Sequence, residues 1–202
     1  NDFNVDEYIM EKLKAQYNFF IERMKENESV VSLQECEYTI YTSIRNAFQE
    51  NQYHSFFFPQ DIYEQEPSNS LTHFLSNFGQ ALFIHSSIGS LIEKIAFENY
   101  NQDYNLWVTR HVGIIVGNPK TNTKILFIST HCSPDDKPPV PENILERIFE
   151  KVYQHNIGEV YIIGDFNTTQ YYLRKYYLRK QFNHNLKFNL SKINDKLTIT
   201  NR

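Results

Sequence analysis

The sequence predicts an α/β domain in which mixed sheets carry helices on their outer faces. Strand-length apolar runs are interleaved with segments whose apolar residues recur at three- and four-residue steps. Two of the longest strand-like runs are joined by a tight turn, which gives a hairpin that a purely parallel sheet does not contain. No linker-like stretch interrupts the 202 residues, so 1–202 reads as one domain, long enough to bury a real core.

The elements follow in order. Residues 7–26 set Ile9, Leu13, Tyr17, Phe20 and Met24 on one helical face. "SVVSLQ" (29–34) reads as a short buried strand and "TIYTSIRNAFQE" (39–50) as a second helix. "HSFFFP" is a strand closed by Pro59, residues 60–79 are a long polar surface loop, and "QALFIHS" (80–86) is the next strand. No element is assigned to residues 87–104. "NLWVTRHVGIIVGN" and "KILFISTH" are long strands either side of the turn "NPKT". "VPENILERIFEKVYQHN" (140–156) carries Ile144, Leu145, Ile148, Phe149 and Val152 on one helical face, and "EVYIIG" (159–164) is a strand. The tandem "YYLRKYYLRK" (171–180) is expected to be helical, with two short strands in 186–200.

Composition narrows the function classes. Hydrophobic residues make up 41% and aromatics 15%, which is globular rather than disordered. No window approaches 18 consecutive apolar residues, the length that spans a bilayer as a helix. Cys36 and Cys132 do not make a secreted disulfide framework and favour a reducing compartment. An opening Asn in place of Met leaves room for a removed leader. Twenty Lys and Arg against 24 Asp and Glu give a net charge of −4, so a broad nucleic-acid grip is not expected. A local basic patch remains: Arg174, Lys175, Arg179 and Lys180 lie among four tyrosines. That segment is either a solvated amphipathic helix or a surface that stacks bases and pairs phosphates.

Several apolar runs end in polar residues. "VVSLQE" ends at Glu35, "ILFISTH" at Thr130 and His131, and "VYIIGDFN" at Asp165 and Asn167, while Asn4 stands in the opening "DFNV". Ligand sites of layered α/β proteins lie beyond strand ends, so these groups can converge. Carboxylates and carboxamides together make a hard-oxygen site suited to Mg²⁺, and an imidazole beside it can protonate a leaving oxygen. Taken singly, an Asp-x-Asn in a loop is also an ordinary turn.

In this order, Asn4, "LQE" (33–35), "STH" (129–131) and "GDFN" (164–167) resemble the endonuclease/exonuclease/phosphatase superfamily, the DNase I-like fold. The resemblance implies a four-layer sandwich of two mixed β-sheets packed face to face with helices outside. It implies Glu35, assisted by Asn4, as ligand of Mg²⁺ or of Mn²⁺ in its place. It implies Asp165 as the group that orients or deprotonates the attacking water, Asn167 as a donor to the phosphoryl oxygens, and His131 as the aid to leaving-group departure. Arg110, in "VTRHVGI", resembles a phosphate-contacting arginine, and simple strand alternation puts its neighbour His111 on the opposite face.

The family's terminal Ser-Asp-His does not occur, and His184, which no Asp precedes, is not expected to replace it. The expectation is a domain trimmed at both ends and lacking its last strands. His54 and His85 are expected to be packing or edge residues; His73 and His155 carry no motif. Cys36 and Cys132 each follow a site residue, which would bring the thiols together if their strands were neighbours. The leading function is a Mg²⁺-dependent phosphodiesterase or nuclease with in-line water attack, nucleic acid being the favoured partner. The alternatives are a degenerate member that binds phosphate-bearing partners, and a lipid phosphohydrolase of the phosphoinositide phosphatase or sphingomyelinase type.

Overall fold

A computed structural model describes residues 5–27, 30–49, 52–63, 78–101, 106–133 and 140–168. Its elements are α1 (Val5–Asn27), β1 (Val30–Glu37), α2 (Tyr38–Asn46), β2 (Tyr53–Pro59), β3 (Asp61–Tyr63), β4 (Phe78–His85), β5 (Ser90–Asn101), β6 (Leu106–Asn118), β7 (Thr123–His131), α3 (Glu142–His155) and β8 (Glu159–Asp165). They build two sheets. One has the order β1-β4-β2 and is antiparallel throughout its described strands. The other runs β3-β6-β7-β8 with β5 also on β6, and is mixed because β8 joins β7 in parallel.

Three apolar clusters define four layers. Leu82 and Ile84 of β4 meet Val112, Ile114 and Val116 of β6 and Phe127 of β7 between the sheets. Ile21 and Met24 of α1 and Tyr41 and Ile44 of α2 pack with Ala81 and Phe83 on the outer face of the first sheet. Ile144, Leu145, Ile148, Phe149 and Val152 of α3 cover Leu126 and Ile128 on the outer face of the second. Period-2 alternation explains the division: Leu126 and Ile128 turn to α3, while Ile125 and Phe127 turn between the sheets. Among the described residues, no helix is long and apolar enough to cross a membrane.

The parallel β7–α3–β8 crossover brings the two most informative strand ends side by side. Pro141 caps α3, its carbonyl accepting from the amides of Ile144 and Leu145, both at 3.0 Å. The helix stops at Asn156, which takes φ 53°, and the Ile157 amide donates to the Val152 carbonyl at 2.9 Å, closing a Schellman turn. Gly158 then donates to the Lys124 carbonyl, which starts β8 in register with β7.

One expectation is corrected here, and one unassigned stretch is filled. The 60–79 surface loop contains β3, because Gln60 bonds both sheets: its amide donates to the Phe78 carbonyl and its carbonyl accepts from the Thr109 amide. Residues 64–77 lie outside the described residues. The unassigned 87–104 contains β5, a twelve-residue strand. A bulge hides its alternation: one extra residue, Ile92, lies between the pairs Leu91–Val116 and Glu93–Ile115. The expected helix at 171–180 and the strands in 186–200 also lie outside the described residues.

Candidate active site

β7 and β8 end together, with His131 directly opposite Asp165 in the parallel register. Their ends are stitched by hydrogen bonds. The Cys132 amide donates to the Asp165 carbonyl at 2.8 Å, and Asn167 Nδ2 donates to the Cys132 carbonyl at 2.6 Å. Asp165 Oδ1 accepts from the Asn167 amide at 2.8 Å, an Asx turn that fixes the carboxylate relative to the chain. Asn167 takes φ 46°, a left-handed conformation that Asn tolerates. Its amide group has two hydrogens, so one stays free for a ligand after the bond to Cys132.

Glu35 arrives from the other sheet. The pairs Leu33–Ala81 and Cys36–Gly79 enclose two residues on β1 and one on β4, so Gln34 and Glu35 form a bulge. Glu35 takes φ 49°, which costs a side chain of its kind about 1–2 kcal/mol. The result is a carboxylate with Oε1 4.0 Å from His131 Nε2. The Glu35 side chain is 69% exposed and that of His131 14%, so the carboxylate stands in solvent over a largely covered imidazole. Nδ1 of His131 has no hydrogen-bond partner among the described residues.

The structure therefore brings Glu35, His131, Asp165 and Asn167 to one end of the sandwich. Asn4, Arg174, Lys175, Arg179 and Lys180, together with His184, lie outside the described residues. Arg110 lines a different space: a cleft of about 230 Å³ whose walls include His111, Asn99, Ser133 and Ile144. The expectation that Arg110 and His111 face opposite ways is overturned. Between the pairs Ala96–Val112 and Glu98–Thr109, β6 has one residue more than β5, and this bulge lets both side chains reach one cleft.

The cysteines are not neighbours. Cys36 is buried under α1 and α2 and Cys132 under α3, on opposite outer faces of the sandwich. Burial pushes the Cys36 thiol up to about 12, which keeps it protonated and unreactive. His54 Nε2 lies 2.8 Å from the Gly89 carbonyl and His85 Nδ1 2.7 Å from Ser87 Oγ, as expected of packing residues. His155 Nε2 lies 2.7 Å from Glu93 Oε2, tying α3 to β5.

Residues that sequence reasoning passed over support the site. Gly164 takes φ 145°, and a Cβ there would strike the Thr130 carbonyl oxygen. Ser32, Gln34 and Ser129 form a polar contact between the sheets. The signal available for them was three polar residues inside otherwise apolar strands.

His111 is a buried titratable group behind the site, its Nδ1 2.5 Å from Thr130 Oγ1. Burial first, then the charges of Arg110 and His131, lower its pKa from 6.5 to about 3. The unfolded chain thus binds a proton that the native chain refuses. The native state keeps its full advantage above about pH 6.5 and loses it as pH falls toward 3. Between pH 7 and pH 5 the loss from this group is expected to be about 2 kcal/mol. His111→Gln, which keeps a polar partner for Thr130, should flatten that limb in denaturant titrations at the two pH values. An unchanged slope would refute the assignment.

Among the described residues no group of three or more His, Cys, Asp or Glu is placed to hold a metal ion, so no closed cage of the zinc type is formed there. Two carboxylates and a carboxamide at this end of the sandwich are hard-oxygen groups of the kind Mg²⁺ takes, binding through one or two carboxylates and keeping several waters.

Comparison with solved structures identifies the architecture. An endonuclease/exonuclease/phosphatase family protein from Bacteroides thetaiotaomicron superposes with a TM-score of 0.61 at 15% identity, covering 87% of this chain and 64% of its own. A mannosyl-6-phosphatase from Bacteroides thetaiotaomicron gives 0.57 at 16%, covering 85% and 63%. The human Nocturnin catalytic domain, with bound sulfate, gives 0.56 at 16%, covering 81% and 61%. The chain therefore has the DNase I-like fold of endonuclease/exonuclease/phosphatase proteins, and it spans less than two thirds of the length of these three structures. No family model matches the sequence, and no curated protein matches it.

Proposed function

We propose that this chain is a metal-dependent phosphoric ester hydrolase that cleaves phosphodiesters, nucleic acid foremost, by in-line attack of water. The observation that carries the reading is the meeting of Glu35 from one sheet with His131 and Asp165 from paired strand ends of the other. Those three side chains and Asn167 are the set that the sequence motifs single out, and the fold brings them together from three strands.

Each residue has a task its geometry suits. Asp165, held by the Asn167 amide, accepts a hydrogen bond from the attacking water and then its proton. Asn167 directs its remaining amide hydrogen at a phosphoryl oxygen as negative charge builds there. His131 gives a proton from Nε2 to the departing oxygen. Glu35, with Asn4 assigned beside it, would hold Mg²⁺ or Mn²⁺, which when bound supplies Lewis-acid polarisation of the phosphoryl group. Arg110 and the cations of 171–180 are assigned to outlying phosphates, where guanidinium forks and aromatic stacking favour a nucleic-acid strand.

The role of His131 has a distinctive test. A proton donor to the leaving oxygen matters for an alkoxide and little for a nitrophenolate. His131→Gln should lower the rate on plasmid DNA about 10²-fold and change the rate on an activated nitrophenyl diester far less. Equal losses on both substrates would remove His131 from leaving-group chemistry. Turnover of a phosphomonoester in preference to either diester would replace the diesterase reading by a phosphatase.

A further inference from the structure

Glu35 stands where a regular strand would not put it. Leu33 and Cys36 both belong to the outer, helix-covered face of their sheet, so the two residues between them must be accommodated by the bulge. In an unbroken strand Glu35 would share the outer face with Leu33 and enter the apolar cluster under α2. A non-glycine residue held at positive φ persists only where its surroundings over-determine it. The question is what holds it.

Beneath the bulge, the mostly apolar space between the sheets holds a hydrogen-bonded group of polar side chains drawn from both, beside the fully buried Gln80 that the bulge encloses on β4. Gln34 Nε2 donates to Ser32 Oγ at 2.7 Å and to Ser129 Oγ at 3.3 Å. Ser32 Oγ lies 2.8 Å from Ser129 Oγ and 3.3 Å from the Ile163 carbonyl oxygen, its one hydrogen serving either acceptor. Ser129 is fully buried. The positions matter as much as the bonds. Gln34 immediately precedes Glu35, Ser129 lies two residues before His131, and Ile163 two before Asp165. One network thus grips β1, β7 and β8 just before each presents its site residue. An apolar filling would stabilise the interior equally well, but it has no directional bond with which to fix a bulge.

We propose that Gln34, Ser32 and Ser129 form an inter-sheet clamp that locks the β1 bulge and sets Glu35 over His131, making Gln34 and Ser129 positioning residues for the metal ligand. The clamp as a device for metal binding rests on the reading of Glu35 given above; the clamp as a device for holding the bulge does not. The experiment is chosen to separate the two.

Mn²⁺ binding to the full chain is measured by titration calorimetry for wild type, Gln34→Leu, Ser129→Ala, Ser129→Thr and Glu35→Gln, with thermal melts of each. Partners one shell out from a ligand usually alter metal affinity 10- to 100-fold. Gln34→Leu and Ser129→Ala should bind Mn²⁺ about 10-fold more weakly, Ser129→Thr should recover wild-type affinity through its retained hydroxyl, and Glu35→Gln should bind most weakly. Wild-type affinity in Gln34→Leu and Ser129→Ala, alongside loss in Glu35→Gln, overturns the clamp and leaves the metal reading standing. Metal-free crystal structures of Gln34→Leu and Ser129→Ala give the second test. A Glu35 that leaves positive φ and moves away from His131 supports the clamp even if the wild-type chain binds no Mn²⁺, a result that would sink the metal reading alone. A Glu35 unmoved in both variants overturns the clamp. Should Gln34→Leu fail to fold, the Ser129 pair decides on its own.

Discussion

Asp165→Ala is expected to eliminate measurable hydrolysis of plasmid DNA and of an activated phosphodiester, a loss of about 10²–10⁴ for the one proton-transfer group. The Asp165 side chain is exposed, and its described hydrogen bond is to the Asn167 amide. Losing that bond should cost about 1 kcal/mol, so the variant folds and the comparison is fair. Asp165→Asn is the companion, since it keeps an oxygen for the Asn167 amide but cannot take a proton. Both variants should be inactive with little change in melting temperature. Activity within a few-fold of wild type in either would refute the role assigned to Asp165, and with it the phosphohydrolase reading built on that residue.

Gly164→Ala is expected to damage stability and activity together. Its φ of 145° suits glycine, and the added Cβ would meet the Thr130 backbone carbonyl rather than a movable side chain. The backbone conformation alone accounts for about 1–3 kcal/mol. Relief requires β8 to draw away from β7 at the point where Asp165 pairs with His131. A displacement near 1 Å in a reacting group can cost about 10²-fold in rate, so kcat should fall by that order in the fraction that remains folded. The check is a denaturant titration with activity measured on the folded protein. Gly158→Ala serves as the control, because a Cβ there meets only ordinary contacts at 3.9–4.0 Å. Equal, small effects at the two glycines would show that β8 has room that the close approach to Thr130 denies.

Much of the architecture could be read from residue order. α3 was legible because Ile144, Leu145, Ile148, Phe149 and Val152 keep strict helical spacing, and β7 because its apolar run is unbroken. β5 was not, because the bulge at Ile92 breaks the period-2 signal that sequence reading depends on. β3 was hidden for another reason: three residues carry too little pattern, and their pairing is with β6, about forty-five residues further along the chain, next to Gln60, which bonds both sheets. The Arg110–His111 bulge defeated alternation in the same way, turning two expected opposite faces into one cleft.

The sequence by itself singled out Glu35, His131, Asp165 and Asn167 as candidates for one site. Each follows an apolar run in a short motif, and chemistry limits the residue types able to serve there. Tertiary structure alone decided how they meet. The thiols were separated because β1 and β7 belong to different sheets, whose outer faces carry different helices. Glu35 was brought to His131 because one extra residue in β1 reverses the side-chain alternation. The inter-sheet contact of Ser32 and Gln34 with Ser129 spans more than ninety residues of chain. Local spacing carries information about periodicity within one element, whereas bulges and face-to-face packing depend on what lies across the sheet.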